Sequence, residues 1–438
     1  MTVLPTIYAL SSGQGRAGIA VVRVSGTMAQ LALEKFAGGV LTPRTAVVRK
    51  LKSHDGLVID EAMVLWLPKP RTVTGEDMVE FHLHGSPAIL ELLFAEFALI
   101  DGLVPAQAGE FTKRAFENGK LDLVEVEGLA DVLSANGEAQ RRLAMRQFLG
   151  DASAVFEKWR SDIVAALALF EASIDFVEED DVATQARSLA KPVIVRLIEE
   201  LNSALQASSQ NAAIRDGLKV VIAGAPNVGK SSLLNALLKR DAAIVSPIAG
   251  TTRDVVEAQL NFGGVGITLA DTAGMRADAT DQIELVGIAR ANAAALDSDI
   301  LVWVTAPDIL ETVGPGRRAD VVVSNKADLD LIRERNDNVI SVSTKTGLGL
   351  NHLRDVLHKK IQAQLSGVEN AVVVRQRHIL AVKESIRLLN NCVEGSHRPL
   401  ELVAEDLRKA ARALGSITGH VDVEDLLTKI FSEFCIGK

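Results

Sequence analysis

The spacing of apolar residues changes character along the chain. Up to about residue 118, short strand-like and helical pieces alternate. "GIAVVRVSG" (18–26) and "EAMVLWLP" (61–68) read as strands, and "PAILELLFAEFALI" (87–100) reads as a helix. A long stretch without breakers follows: no proline between Ala106 and Lys191, and no glycine between Asp151 and Asp216. Ile163, Leu167, Phe170 and Ile174 step at helical spacing, and Ile194, Leu197, Leu201 and Leu205 repeat the step after Pro192. The acidic "VEEDDV" between them reads as a solvated turn.

Near Gly217 the period changes again. "LKVVIAG", "ITLAD", "DILVWVT", "ADVVVSN" and "NVISVS" are apolar runs of strand length separated by helical stretches. That alternation predicts a doubly wound parallel sheet. The chain then returns to helices. Ile379, Val382, Ile386 and Leu389 mark one face; Leu400, Val403, Leu407, Ala410 and Leu414 mark another. The expected organisation is an α/β domain (1–118) and a helical domain in two parts (119–214 and 366–438), interrupted by a nucleotide-binding domain (215–365).

Composition narrows the class without naming a function. The chain has 438 residues, 48% of them hydrophobic and 24% charged, enough to build a large core. Its net charge of −9 argues against a nucleic-acid binder held by bulk positive charge. Two distant cysteines form neither a disulfide framework nor a zinc site, and they fit a reducing, cytoplasmic setting. No apolar run reaches the ~18 residues of a membrane span, and the N-terminus lacks the pattern of a secretory signal.

The chemistry concentrates in the central region. "GAPNVGKS" (224–231) fits the phosphate-loop pattern between a strand and a helix. Asn227, Val228, Gly229, Lys230, Ser231 and Ser232 would surround the phosphates, with Lys230 on the β/γ oxygens and the Ser231 hydroxyl on Mg²⁺. "GTTRD" supplies Thr252, a second Mg²⁺ ligand on a switch loop. "DTAG" places Asp271 at a strand end, followed by Thr272, Ala273 and Gly274. "NKAD" (Asn325, Lys326, Ala327, Asp328) selects guanine through Asp328, and Ser343, Thr344 and Lys345 of "STKTG" support the base. The order matches the translation-factor-like branch of small GTPases, so the expected fold is a Ras-like G-domain binding GTP and Mg²⁺. Met275 stands where Ras-like relatives carry the water-orienting glutamine. Another group must therefore supply positive charge, a role worth ~10³–10⁵ in rate when an arginine finger plays it. A monovalent cation could take that role. Asn227 offers a side-chain oxygen, Ser246 and Ile248 offer carbonyls, and Thr251 lies nearby, with Pro247, Ala249 and Gly250 completing the loop.

Motifs outside the G-domain carry a wider resemblance. "GRAGIAVVRVSG", "TGEDMVEFHLHG", "GEFTKRAFENGKLDLVEVEGLADVL", "IELVGIARA" and the terminal "FCIGK", with the G motifs, resemble the MnmE (TrmE) family of tRNA-modification GTPases over essentially the full chain. The resemblance implies an N-terminal folate-binding-type domain that dimerises, and G-domains that pair with K⁺ bound. It implies a flavoprotein partner, MnmG (GidA), in a heterotetramer-type complex. It also implies modification of the tRNA wobble uridine at C5, with 5-formyl- or 5,10-methylene-tetrahydrofolate as one-carbon donor. It assigns K⁺ to Asn227, the positioning of the attacking water to Glu284, and folate contacts to Arg23, Glu80 and Lys120. It makes Cys435 and Lys438 site candidates; whether the thiol attacks a base, a folate carbon or nothing stays open. The alternative reading is a regulatory RNA-binding or ribosome-assembly GTPase.

Other signals are set aside. "GQGRAG" is followed by a β-rich run, so it reads as a turn and not as a dinucleotide loop. His82 and His84 alternate on one strand and read as structural. Cys392 reads as a buried, inert thiol.

Overall fold

The structure is a computed structural model. It describes residues 4–175, 180–225, 227–240, 256–262, 265–271, 296, 298–309, 317–329, 338–364, 372–394, 398–421, 427, 430–432, 434 and 436–438. It divides into two compact units, 1–130 with 415–438, and 131–414.

The first unit contains β1 (Thr6–Leu10), β2 (Ala17–Ser25), α1 (Ala29–Ala37), β3 (Val47–Lys52), β4 (Val58–Leu67), β5 (Met78–Gly85), α2 (Pro87–Phe97), β6 (Leu103–Pro105) and α3 (Glu110–Glu117), and the start of α4 (Leu123–Ser134). The sheet order is β3-β4-β5-β2-β1-β6, with β1 and β6 parallel and the other pairs antiparallel. "GQGRAG" (13–18) lies between antiparallel β1 and β2 and runs into the first two residues of β2, not into a helix.

Alternation gives this sheet two distinct faces. Tyr8, Val22, Val24, Val64, Val79, Phe81 and Leu83 point to one side and are covered by Leu33 and Phe36 of α1 and Leu93 and Phe97 of α2. The opposite side carries Ile7 and Ala9, packed against Ala106 and Phe111. Ala9 stands opposite Arg23, and Arg23 opposite Glu80, so both charges share this second face. The end of the chain returns to the same unit. Ile430, Phe431 and Phe434 bury themselves against Leu123 and Val126, and Ile436 bridges Ala108.

The second unit opens with α5 (Glu138–Phe148), α6 (Asp151–Asp175) and α7 (Asp180–Asp216). α7 runs through Pro192 instead of restarting after it. A mid-helix proline costs about 3 kcal/mol. The buried stripe of Ala190, Ile194, Leu197 and Leu201 on both sides of the proline offsets that cost by packing. There follow β7 (Leu218–Gly224), α8 (Lys230–Arg240), β8 (Val256–Phe262), β9 (Val265–Asp271), β10 (Ile300–Thr305), β11 (Val321–Ser324), β12 (Val339–Ser341) and α9 (Leu350–Gln364). The sheet order is β12-β11-β10-β7-β9-β8.

All neighbours in this sheet are parallel except β8, which pairs antiparallel with β9. The apolar pattern predicts no strand here: "VEAQLNF" is a mixed polar segment, as suits an edge. Leu233, Leu234 and Leu237 of α8 and Leu353, Leu357 and Ile361 of α9 pack on Val220, Ile222, Val302 and Val304.

Helices α10 (Gln376–Glu394) and α11 (Leu400–Thr418) follow. The buried stripe of α10 is His378, Val382, Ser385, Leu388, Leu389 and Cys392, while Ile379 and Ile386 are half-buried. The face is thus rotated by one residue from the apolar pattern. Two polar groups enter the core because each meets a specific neighbour: His378 lies edge-on to Phe156, and the Ser385 hydroxyl meets the Ala381 and Ala410 carbonyls. The protein therefore combines an N-terminal α/β domain, a helical domain and a G-domain.

Candidate functional site: a phosphate loop joined to a base loop

The phosphate loop lies where the sheet order reverses. β7 has β10 on one side and β9 on the other, and such switch points open a crevice at the strand ends. At the end of β7, Gly224 approaches β10 so closely that a Cβ would lie 2.1 Å from the Val304 carbonyl oxygen. Asn227 takes a left-handed conformation (φ 63°), as does Gly229 (φ 91°). Asn is among the few side-chain-bearing residues that adopt it readily. Val228 between them is buried.

Lys230 begins α8, and its side chain is buried. Its Nζ donates to the Gly224 and Ala225 carbonyls, each at 2.9 Å. The ammonium is thereby held over the loop at a helix N-terminus, an arrangement suited to phosphate oxygens. Ser231 and Ser232 are exposed in the first turn.

The base-recognition loops are tied to the phosphate loop by one side chain. Asn325 is 1% exposed. Its Nδ2 donates to the Val228 carbonyl at 2.9 Å, and its Oδ1 accepts from the Thr344 amide at 3.3 Å. Its own amide donates to the Thr305 carbonyl at 2.8 Å. Lys326 is left-handed (φ 60°) and pairs with Asp308 at 2.6 Å. Ala327 donates its amide to the Val342 carbonyl at 3.0 Å. The buried Ser343 hydroxyl donates to Asp328 Oδ1 at 2.6 Å. That bond, then a backbone N–H, then the charge of Lys345, hold the Asp328 carboxyl below the usual Asp range.

Asp271 ends β9 and is in register with Ile222 of β7, which places its backbone at the mouth of the crevice. Ser246, Pro247, Ile248, Ala249, Gly250, Thr251, Thr252, Thr272, Ala273, Gly274, Glu284 and Cys435 lie outside the described residues.

A second polar cluster sits on the N-terminal sheet. Arg23 Nε and Nη2 both donate to Glu80 Oε1, at 3.0 and 2.8 Å. The guanidinium also lies 5.9 Å from the Phe111 ring centre. His82 Nε2 is 3.3 Å from the other Glu80 oxygen. These side chains are about four-fifths buried. Lys120 lies in the turn after α3 and is exposed, its amide bonded to the Ala115 carbonyl at 2.8 Å. Lys438 is half-buried at the end of a tail held by Gly437 (φ 94°), whose Cβ would lie 2.0 Å from the Leu10 carbonyl oxygen. The structure thus pairs Arg23 with Glu80, while Lys120 and Lys438 lie on separate segments of the same unit.

Comparison with known proteins resolves the family. Residues 6–120 match the model for the GTP-binding protein TrmE N-terminus, and residues 123–435 match the model for the MnmE helical domain. The chain belongs to the MnmE family. It is 45% identical over 440 residues to the tRNA modification GTPase MnmE of Rhizobium etli (strain CIAT 652), covering 99% of each chain. It is 45% identical over 443 residues to that of Cereibacter sphaeroides (strain ATCC 17025), covering 99% of this chain and 100% of the other. With the MnmE of Brucella anthropi it shares 41% over 435 residues, covering 99% and 98%.

Within this MnmE-family chain, His82 adjoins the Arg23–Glu80 pair. It reads as a structural histidine, and the carboxylate of Glu80 is its hydrogen-bond partner. The two-residue spacing on one strand was the available signal. His84 instead hydrogen-bonds Asp60 at 2.8 Å. Among the described residues there is no group of three or more His, Cys, Asp or Glu that could hold a metal ion.

Proposed function

We propose that the protein hydrolyses GTP to drive modification of the wobble uridine (U34) of certain tRNAs. Acting with the flavoprotein MnmG (GidA), it would add an aminomethyl-type group, such as carboxymethylaminomethyl, at C5. The observation that carries the GTPase part is the Asn325 bridge, which ties a phosphate loop to a guanine-type loop.

Within the crevice Lys230 exchanges its two carbonyl partners for β/γ-phosphate oxygens. The loop N–H groups, with Ser232 beyond them, close around the phosphates. The Ser231 and Thr252 hydroxyls, with Asp271, would hold Mg²⁺, which would neutralise charge on the phosphates. Asp328 accepts from the N1–H and exocyclic amine of guanine, a pattern that adenine lacks. Asn227, with Ser246, Ile248 and Thr251, would hold K⁺ when two G-domains pair, and Glu284 would position the attacking water.

The N-terminal domain supplies the one-carbon donor site and the homodimer interface in this reading. Arg23, Glu80, Lys120 and Lys438 suit a reduced folate: a carboxylate for paired N–H donors of the pterin, and cations for the glutamate tail. The donor is 5-formyl- or 5,10-methylene-tetrahydrofolate, and Cys435 acts in the same chemistry. The protein works in the cytoplasm, in a heterotetramer-type complex with its partner. Mass spectrometry of tRNA nucleosides from a deletion strain tests the reading. Loss of the C5 substituent at U34 is expected, and unchanged wobble uridines would overturn it.

A further inference from the structure

Three separate segments carry Arg23, Glu80 and Lys120: strand β2, strand β5 with the 72–77 loop leading into it, and the turn after α3. One ion cluster joins all three. The Arg114 guanidinium is 3% exposed. Its Nη1 donates to the two Glu76 oxygens at 3.3 and 3.1 Å, and its Nη2 donates to Glu110 Oε1 at 2.9 Å and the Pro5 carbonyl at 2.8 Å.

Glu76 reaches further than this ion pair. Its Oε2 accepts from the Ser25 hydroxyl at 2.8 Å, two positions along β2 from Arg23. Ser25 also meets the Thr74 hydroxyl at 2.7 Å. The Thr74 carbonyl accepts from Asn118 Nδ2 at 2.7 Å, two positions before Lys120. Gly75, between Thr74 and Glu76, has φ +81°, and a Cβ there would sit 3.2 Å from Lys120 Cε. The Lys120 stem therefore lies across this loop.

An arginine on α3 could be neutralised within its own helix by Glu110, four residues away. The second carboxylate comes from a loop four residues ahead of Glu80. It is a charged link from that loop to both β2 and α3, alongside the Thr74 bonds to Ser25 and Asn118.

We propose that Glu76 is a positioning residue of the one-carbon site: through Arg114, Ser25 and the 72–77 loop it fixes the spacing of Arg23, Glu80 and Lys120. This rests on the reading of those three residues as folate contacts. A ligand with a pterin at one end and a carboxylate tail at the other engages all of them only if their separation is fixed, and loss of supporting contacts loosens such sites.

The test uses the full chain, with 5-formyltetrahydrofolate as the probe in titration calorimetry. Glu76→Gln keeps the side chain's shape and removes its charge. Its folate Kd should rise about tenfold, the scale of one charge-assisted hydrogen bond. In the reconstituted modification reaction the KM for the folate donor should rise while kcat stays the same, a split that general destabilisation does not produce. Wild-type affinity in Glu76→Gln overturns the proposal. If Glu76→Gln lowers the melting temperature, Ser25→Ala, which removes one of Glu76's own hydrogen bonds, replaces it; wild-type affinity there overturns the proposal equally. Glu80→Ala separates the two levels. If it binds folate normally, the reading of the site itself fails. If it loses folate while Glu76→Gln keeps it, only the positioning role fails.

Discussion

The side-chain amide of Asn325 donates a 2.9 Å hydrogen bond to the carbonyl of Val228, so the residue that opens the base loop also braces the phosphate loop. Both groups are buried. Gly229 shares the constraint, because a Cβ there would sit 2.3 Å from Asn325 Nδ2. Asn325→Ala should leave the Val228 carbonyl without this donor, costing about 1–3 kcal/mol of stability. It should also weaken GTP binding at least tenfold, roughly the same energy expressed as affinity. Thermal unfolding and fluorescent-nucleotide titration read the two effects, and wild-type values in both would show that the bridge is dispensable.

Guanine selection should follow the carboxylate of Asp328. Asp328→Asn turns one acceptor into a donor, so GTP affinity should collapse and xanthosine triphosphate should bind in its place; competition binding with the two nucleotides measures the exchange.

The same carboxyl carries a pH signature. Its folded pKa is lowered, chiefly by the Ser343 hydroxyl, so the ionised form persists as pH falls through the ordinary Asp value and is lost only at the lowered pKa. Ser343→Ala should move the acid limb of GTP binding to higher pH. Superimposable pH profiles for the two proteins would contradict this assignment.

Hydrolysis should be faster in K⁺ than in Na⁺ at equal ionic strength, and Asn227→Ala should erase the difference while retaining nucleotide binding. Phosphate-release rates in matched salts decide this, and equal wild-type rates in both would exclude a cation finger.

Cys392 should be inert. Burial, aided by the charge of Asp406, pushes its thiol up to about 12, and its Sγ–H meets the Leu388 carbonyl at 3.3 Å. Since the thiolate is the reactive form, iodoacetamide at pH 8 should leave Cys392 unlabelled in the folded protein and label it in urea. Peptide mass spectrometry separates it from Cys435, and rapid labelling without denaturant would refute the buried-thiol assignment.

Gly437 should matter beyond its size. With φ 94° and the Leu10 carbonyl against its α-carbon, any side chain must displace the tail. Gly437→Ala should reduce tRNA modification while GTP hydrolysis remains. Retention of full modification would mean that the seat of the tail is irrelevant to the chemistry.

Local pattern alone located most elements and the loops that could bind GTP. Strands such as "LKVVIAG" and "DILVWVT" are buried on both faces and carry their period in the residues themselves, and the phosphate loop needs glycine, lysine and serine at fixed offsets along one backbone. Long-range partnership was not legible. Nothing in the chain's order says that Asn325 reaches Val228, that Arg23 stands opposite Glu80 with His82 beside it, or that Arg114 gathers Glu76 from a loop 38 residues away. Nor could period alone place His378 and Ser385 in the core, or carry α7 through Pro192, since a neighbour's surface decided both. Sequence fixes what each segment can do with its own backbone. Which side chains then satisfy one another is set by sheet register and by burial, where an unpaired polar group is costly and only the folded arrangement supplies its partner.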